Sequence, residues 1–294
     1  TWTEALDDIE GWRGVTMSTD GTKITAGSYY GKIATYDDSG DATWTVSSAH
    51  SDIRWNQIDA SPDGTKLVGA GAGGKIYKSS DSGGSWEEMV VDETKTFYWW
   101  CTAMSDDGTK IAAGEYDDGN IWISSDSGAS WEEKIIGDGT NDWKKIYMTS
   151  DGTKMVAVEE LGIWTSSDSG ATWTEYDAID TAIPTDSIKV WRDVWIDGDG
   201  TIKVALAQSK NPFVIGMGCI PDTVTSCIAG EGLSDGGPTS DASCIECDGS
   251  QHSVVSMDEN ATWVEDISVD AEKVWYDITS SADGTKLAAV VNGG

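Results

Sequence analysis

The sequence predicts an all-β fold: a six-bladed β-propeller of four-stranded antiparallel blades, its ring closed by N- and C-terminal strands that share one blade. Three observations predict it. A Trp followed seven or eight positions later by Asp-Gly-Thr recurs six times along 294 residues, and internal repeats of roughly 40–50 residues mark propellers and other stacked arrays. A second motif, S-x-D-x-G-x-[ST]-W, falls between the later strands of the units. No stretch of useful length carries apolar residues at helical spacing, whereas alternation of period two is frequent.

The units begin at Trp12, Trp55, Trp100, Trp143, Trp191 and Trp275. They define blades at about 12–54, 55–99, 100–142, 143–190 and 191–274, with the sixth built from 275–294 plus 1–11. The first strand of each unit runs from its Trp with alternating apolar positions, as at Ile58 and Ala60 or Ile146 and Met148. Asp-Gly then makes the hairpin turn, because Gly accepts the positive φ that such turns need. The second strand follows, as from Lys66. The third begins at Lys75, Asn120 or Gly162, and a turn such as Asp81–Ser85 leads to a fourth at Trp86. Thr1-Trp2-Thr3-Glu4 repeats Thr172–Glu175, the start of a fourth strand, while the C-terminus stops after a second strand from Lys286. The two ends therefore complete one blade, and Thr1 reads as a processed or truncated end. That blade lacks a third strand, which leaves an edge open to a flanking or partner strand and so to self-assembly. The fifth unit is nearly twice as long as the others, and its excess reads as a loop insert over 209–250 between second and third strands.

The second motif is matched in full by Ser79–Trp86, Ser124–Trp131 and Ser166–Trp173. Its Asp can accept turn N–H groups, its Gly supplies left-handed φ, and its Trp packs back over the hairpin. Ser256–Trp263 is a fourth copy with Asn260 in the Gly place, and Asp38–Trp44 is a fifth, longer by one residue. The structural acids are thus Asp38, Asp81, Asp126, Asp168 and Asp258. These turns are Asp-boxes, and the chain resembles the Asp-box (BNR-repeat) propeller superfamily over nearly its whole length. That superfamily includes sialidases, sortilin-type receptors, xyloglucan-cleaving glycosidases and thylakoid photosystem assembly factors. The resemblance implies the fold and leaves the function open.

Charge and cysteine content narrow the classes. A net charge of -32, from 51 acidic and 19 basic residues, repels nucleic acid and anionic lipid. No apolar run is long enough for a membrane helix. Sixteen Trp against two Phe supply the core through aromatic area. Cys219, Cys227, Cys244 and Cys247 crowd one Gly/Ser/Asp-rich segment, which reads as two disulfides and a secreted, extracellular protein. Zinc is the competing reading, although Cys244 and Cys247 form the only close CxxC pair. Cys101 shares strand parity with Ala103 and is expected to be a buried, inert thiol.

The Asp-Gly-Thr and Asp-box turns are expected on one face and the second-to-third loops on the other. The variable loops gather Tyr29, Tyr30, Tyr98, Trp99, Glu115, Tyr116, Asp117 and Asp118 as candidate binding residues, beside Glu159, Glu160 and the 50–54 segment. Aromatics mixed with carboxylates suit a protein or carbohydrate partner. The predicted function is accordingly a non-catalytic extracellular binding or structural assembly module. A glycoside hydrolase is the alternative and a thylakoid-type assembly factor the third reading. The superfamily resemblance implies, for a sialidase, arginines at inner-strand starts and a Tyr nucleophile, which would fall on Arg13, Arg192 and Tyr276. Lys144 stands where a further Arg is needed and cannot fork a carboxylate. A two-carboxylate mechanism would draw on Glu115, Asp117 or Glu159. No cofactor is expected; Asp197–Thr201 opens like a calcium loop but lacks the closing Glu. Asn260-Ala261-Thr262 is an N-glycosylation sequon.

Overall fold

The computed structural model describes residues 11–38, 43–47, 53–117, 119–139, 141–176, 189–196, 202–209, 215–217, 274–282 and 286–292. Among these residues every regular element is a β-strand. Sheet one is β1 (Trp12–Met17), β2 (Lys23–Ser28), β3 (Ile33–Asp37) and β4 (Thr43–Ser47). Sheet two is β5 (Arg54–Ala60), β6 (Leu67–Ala72), β7 (Lys75–Ser79) and β8 (Glu87–Met89). Sheet three is β9 (Trp99–Met104), β10 (Ile111–Glu115), β11 (Ile121–Ser124) and β12 (Glu132–Lys134). Sheet four is β13 (Lys145–Met148), β14 (Met155–Val158), β15 (Ile163–Ser166) and β16 (Thr174–Glu175). Sheet five holds β17 (Lys189–Ile196), β18 (Ile202–Ser209) and β19 (Ile215–Met217), and sheet six holds β20 (Val274–Ser280) and β21 (Leu287–Asn292). Each sheet is an antiparallel meander in sequence order, the arrangement of a propeller blade.

The first strands of successive sheets pack on one another, β1 on β5, β5 on β9, β9 on β13 and β13 on β17. β1 also packs on β20 and β21. The core consequently lies in seams between sheets. Ile33 of sheet one meets Trp55, Ile58 and Leu67 of sheet two; Val68 and Ile76 of sheet two meet Trp99 and Ile111 of sheet three. Cys101 and Ile121 meet Trp143 and Ile146, and Val156 and Val158 meet Val194. Val290 of sheet six packs with Trp12 and Val15 of sheet one. Small residues of β2 and β10 make room for the large ring of the next sheet. A Cβ on Gly27 would lie 2.7 Å from atoms of Trp55 and Ile58, and one on Gly114 would lie 2.8 Å from Trp143 Cβ.

Two sequence expectations need correction. The residue of sheet three equivalent to Trp12 and Trp55 is Trp99, not Trp100. Trp99 pairs with Glu115 and Cys101 with Gly114, so Trp100 is the bulged residue, as Arg13 is between Trp12 and Gly14. Trp99 is fully enclosed in a seam, which removes it from the candidate binding residues and shifts that blade boundary by one residue. Secondly, β19 starts at Ile215 and pairs with Leu206–Gln208 of β18, inside the segment expected to be a loop insert. The four clustered cysteines therefore follow a third strand. They lie outside the described residues, as do residues 1–10, Asp118, Asp258, Asn260 and 197–201.

The repeated turns explain why the sheets lock together. In the first, Asp63 Oδ1 accepts from Ser61 Oγ at 2.7 Å, Thr65 Oγ1 at 2.7 Å and Thr65 N at 2.9 Å. Asp20, Asp107 and Asp151 repeat the pattern. In the second, Asp81 accepts from Ser79 Oγ, Ser85 N and Ser85 Oγ, while Trp86 Nε1 donates to Gly83 O at 3.2 Å. Asp126 and Asp168 repeat the carboxylate contacts, and Trp173 Nε1 repeats the bond by donating to Gly170 O at 3.1 Å. The residue before the turn Gly is left-handed too, with φ of 57° at Ser82 and 60° at Ser127 and Ser169. That strain is stabilised by a hydrogen bond from Ser82 N to Thr65 O of the first turn at 2.9 Å, repeated from Ser127 to Thr109 and from Ser169 to Thr153. The two turn types thus share one face, as expected. The Lys ending four of the five Asp-Gly-Thr-Lys turns then reaches the next sheet. Lys23 Nζ donates to Ser82 Oγ, Lys66 Nζ to Asp107 O, Lys110 Nζ to Asp151 O and Ser169 Oγ, and Lys286 Nζ to Gly21 O.

Candidate functional site

Opposite the turns, the residue just after each first-strand Trp is squeezed out of the ladder. The register shift falls on Arg13, Asn56, Trp100, Arg192 and Tyr276, and Lys144 and Lys145 crowd against Val158 in the same way. A bulge re-aims the side chain it carries. Arg13, Arg192 and Tyr276, the sialidase-like candidates, therefore occupy one repeated backbone position in sheets one, five and six.

From sheet one to sheet four these positions join the loop aromatics in a continuous ladder. Tyr29 and Tyr30 meet edge to face, with centroids 5.7 Å apart. The Arg13 guanidinium stands 4.1 Å from the Tyr29 centroid and 5.6 Å from that of Trp100. Trp100 stacks on Tyr116 at 4.9 Å, and Lys144 Nζ lies 4.2 Å over the Tyr116 ring. Arg54 approaches Tyr29 from sheet two, its guanidinium 5.0 Å from the ring centroid and its Nη1 donating to Tyr29 Oη at 3.1 Å. Cation–π pairs of this kind contribute about 0.5–1 kcal/mol each at exposed sites. Arg13 is fixed by a relay: its Nη1 donates to Asn56 Oδ1 at 3.0 Å, and Asn56 Nδ2 donates to Trp99 O at 2.8 Å. Gly11, at φ 78°, lets Tyr30 lie against its backbone, where a Cβ would come within 2.7 Å of the ring. Gly11, Arg13, Tyr29 and Tyr30 line an open cavity of about 160 Å³. Tyr30, Tyr98 and Tyr116 remain 61%, 54% and 37% exposed.

The carboxylates of this face are tied into its loops. Glu115 Oε2 accepts from Asn120 N and Trp122 Nε1, both at 3.2 Å, and Glu159 Oε2 accepts from Leu161 N at 2.9 Å. Burial pushes both carboxyls above the ordinary Glu range. Asp117 donates its N–H to Asp142 Oδ1 at 2.8 Å, and Asp142 pairs with Lys144 at 3.6 Å. The Glu115 and Glu159 carboxylates therefore brace the rim, while Tyr30, Tyr98 and Tyr116 form its outward surface.

A second polar cluster, which sequence reasoning missed, fills the axis between the first strands. Lys145 of sheet four pairs with Asp277 of sheet six at 3.3 Å. Asp277 Oδ2 accepts from Val15 N of sheet one at 3.1 Å. Asp59 accepts from Met104 N of sheet three at 2.8 Å and from Ala60 N at 2.9 Å. Burial pushes the Asp59 carboxyl up to about 6 against the pull of Lys145, and raises Asp193 and the Tyr147 hydroxyl as well. Burial pulls Lys145 down, but Asp277, Tyr147 and Asp193 together outweigh it and hold the ammonium well above the ordinary Lys range. The sequence signal was available: Gln57, Lys145, Asp193 and Asp277 all stand two residues after a first-strand Trp. Cys101 occupies the same register position, fully buried, with its thiol pushed up by burial to about 12. Such a thiol is inert, as the sequence implied.

Among the described residues no group of three or more His, Cys, Asp or Glu is arranged to hold a metal ion, and no helix is long and apolar enough to cross a membrane. No family model matches the sequence, and no curated protein matches it. A solved structure of an ancestral GH74 enzyme is similar at a TM-score of 0.53 and 13% identity, over 73% of this chain. This chain spans about a third (32%) of that enzyme's length. At that identity the likeness concerns fold alone, and together with the antiparallel meanders it makes this chain a β-propeller-like, all-β protein.

Proposed function

We propose that the chain is a ring-closed, six-bladed Asp-box propeller that acts as a non-catalytic, extracellular binding module, taking carbohydrate on the face opposite its Asp turns. Closure is supported by the hydrogen bond from Ala282 N to Thr19 O at 2.8 Å, by Lys286 on Gly21, and by the Val290–Trp12 seam. The observation that carries the binding reading is the ladder from Tyr30 to Lys144. It presents exposed aromatic faces and cationic donors on rigid strand ends, and the Glu115 and Glu159 carboxylates beside it are already committed to loop N–H groups and the Trp122 ring N–H. Rings that offer both an apolar face and hydroxyls match such a surface. A glycan array with the wild-type chain and Tyr30→Ala tests this: binding that Tyr30→Ala abolishes supports it, while an empty array with capture of a protein ligand would replace it.

A sialidase-like glycosidase is the second reading, favoured by the shared bulge position of Arg13, Arg192 and Tyr276. Turnover of a fluorogenic sialoside that Tyr276→Phe removes, with unfolding unchanged, would establish it in place of the binding module.

A further inference from the structure

The outer strands of the four-stranded sheets are not alike. β8 (Glu87–Met89) and β12 (Glu132–Lys134) have three residues and β16 (Thr174–Glu175) has two, and each carries Glu. Short, charged edges of this kind resist pairing with other chains. β4 has five residues, Thr43-Trp44-Thr45-Val46-Ser47, and none is charged. Thr43, Thr45 and Val46 are exposed. Trp44 rests on Tyr36 of β3, with ring centroids 5.4 Å apart, which holds the strand on its inner side.

The register fixes which main-chain groups of β4 face outward. Between β2 and β3, Ser28 N donates to Lys32 O and Asp38 N to Thr22 O, each to the residue directly opposite. Ala26 with Ala34 and Ile24 with Tyr36 continue the same frame. Residues of an antiparallel ladder turn their N–H and C=O alternately to one neighbour and to the other. Ala34 and Tyr36 are therefore bonded towards β2, and Ile33, Thr35 and Asp37 towards β4. The residues opposite those three are Ser47, Thr45 and Thr43. The N–H and C=O of Trp44 and Val46 are left pointing away from β3, where among the described residues no strand pairs with them.

β4 also reads nearly the same in either direction: hydroxyl, large apolar, Thr, large apolar, hydroxyl. Two copies laid antiparallel about Thr45 place Trp44 opposite Val46 and Thr43 opposite Ser47. These are an aromatic–β-branched pair and a Thr–Ser pair, both stabilising across strands. Trp44 and Val46 then exchange N–H···O bonds in both directions, and Thr45 faces Thr45 at the two-fold. That self-complementarity selects a second copy over an unrelated strand.

We infer that β4 is a pairing edge on which a second copy of this chain docks, extending sheet one across a two-fold axis. The edge belongs to sheet one and is distinct from the one expected where the chain ends meet. The net charge of -32 on each copy opposes the pairing, so the dimer is weak in dilute salt and tightens as salt is added.

Sedimentation of the full chain tests this at about 0.1 M and about 1 M salt, where the screening length falls from about 10 Å to about 3 Å. The dimer should tighten at least about tenfold between the two. Thr45→Glu gives β4 the charge that the other outer strands carry. At the lower salt it should weaken the dimer about tenfold or more, because like charges then stand opposite one another. Val46→Pro removes only an outward-facing N–H, which an edge strand tolerates, and should abolish the dimer; Val46→Ile keeps that N–H and should retain it. Urea unfolding checks that each variant is folded. Under oxidation Thr45→Cys chains should cross-link to one another, since residues facing at the two-fold lie about 4.5 Å apart at Cα. Thr43→Cys chains and the wild type should not. A wild type that stays monomeric at both salts overturns the inference. So does a dimer that loosens with salt, or a folded Val46→Pro or Thr45→Glu chain that pairs as tightly as wild type, since the contact then lies elsewhere. Were Val46→Pro to unfold, Thr45→Glu and the cross-linking decide.

Discussion

Replacing Asp59 by Asn should make the protein more stable at neutral pH and leave it no more stable in acid. Asp59 sits in the axis with Asp193 and Asp277, and burial holds its carboxyl near 6 against an ordinary value of 3.8. Below about pH 4 the group is protonated whether the chain is folded or not, and its burial costs little. Between 4 and 6 the folded state keeps the proton while the unfolded state loses it, so stability falls as pH rises through that window. Above 6 the full cost of the buried charge is present. A shift of about two units corresponds to about 3 kcal/mol, and water reaching part of the side chain makes this an upper bound. Asn keeps one acceptor and can satisfy only one of the Met104 and Ala60 N–H groups, which gives back about 1 kcal/mol. The expected net gain is therefore about 1–2 kcal/mol at neutral pH. Urea unfolding of both proteins at pH values on either side of the window measures it. An Asn variant that is less stable at neutral pH, or whose advantage does not shrink in acid, would show that the axis does not penalise the Asp59 charge.

Three further outcomes follow from the geometry. Trp99→Ala should cost about 3–5 kcal/mol in urea unfolding, and Trp100→Ala no more than about 1.5 kcal/mol; equal costs would contradict the register of β9. Gly27→Ala should cost about 1–3 kcal/mol by overpacking Trp55 and Ile58 across the first seam, and an unchanged urea midpoint would mean that sheets one and two are not so closely apposed. Asp126 is held at about 2, foremost by the Ser130 hydroxyl, then by Ser130 N–H and the Ser124 hydroxyl. Its contribution is present above about pH 4 and lost as pH falls towards 2. Asp126→Ala should lower the melting temperature at neutral pH and flatten the acid limb of the stability profile, and a parallel shift at every pH would count against it.

Most of the fold was legible because its turns are written in side-chain chemistry. Each Ser-x-Asp-Gly-Thr-Lys run satisfies its own backbone, so the hairpins could be placed without knowing what packs on them. Trp99 was misplaced because Tyr98-Trp99-Trp100 offers period-two alternation in either register. The spacing of eight residues from Trp to the turn Asp in the other units would have chosen Trp99. The start of β19 was hidden in a segment with little apolar alternation. The rim tyrosines were found because they fall in the variable loops. Glu115 and Glu159 looked like available acids, since nothing in the sequence reveals that Trp122 Nε1 and a loop N–H turn them inward. The axis cluster was overlooked for a related reason. Its members share parity with buried apolar residues, and only superposing the units shows polar groups recurring two places after the Trp.

The placement of cations also separates the two faces. Lys23, Lys66, Lys110 and Lys286 are committed to carbonyls and hydroxyls of the neighbouring sheet, a task that suits a compact ammonium with three donors on a flexible stem. Lys145 is committed to Asp277 in the axis, and Lys144 to Asp142 at the rim. The lysines whose partners recur with the repeat thus hold the sheets to one another, and substituting any of them should affect folding before binding. The arginines do not follow the repeat: of the six bulge positions only those of sheets one and five carry Arg, and Arg54 precedes its Trp. On the face opposite the turns, those departures tie sheets one and two through other partners, Arg13 donating to Asn56 and Arg54 to Tyr29, so substituting either arginine should loosen that seam.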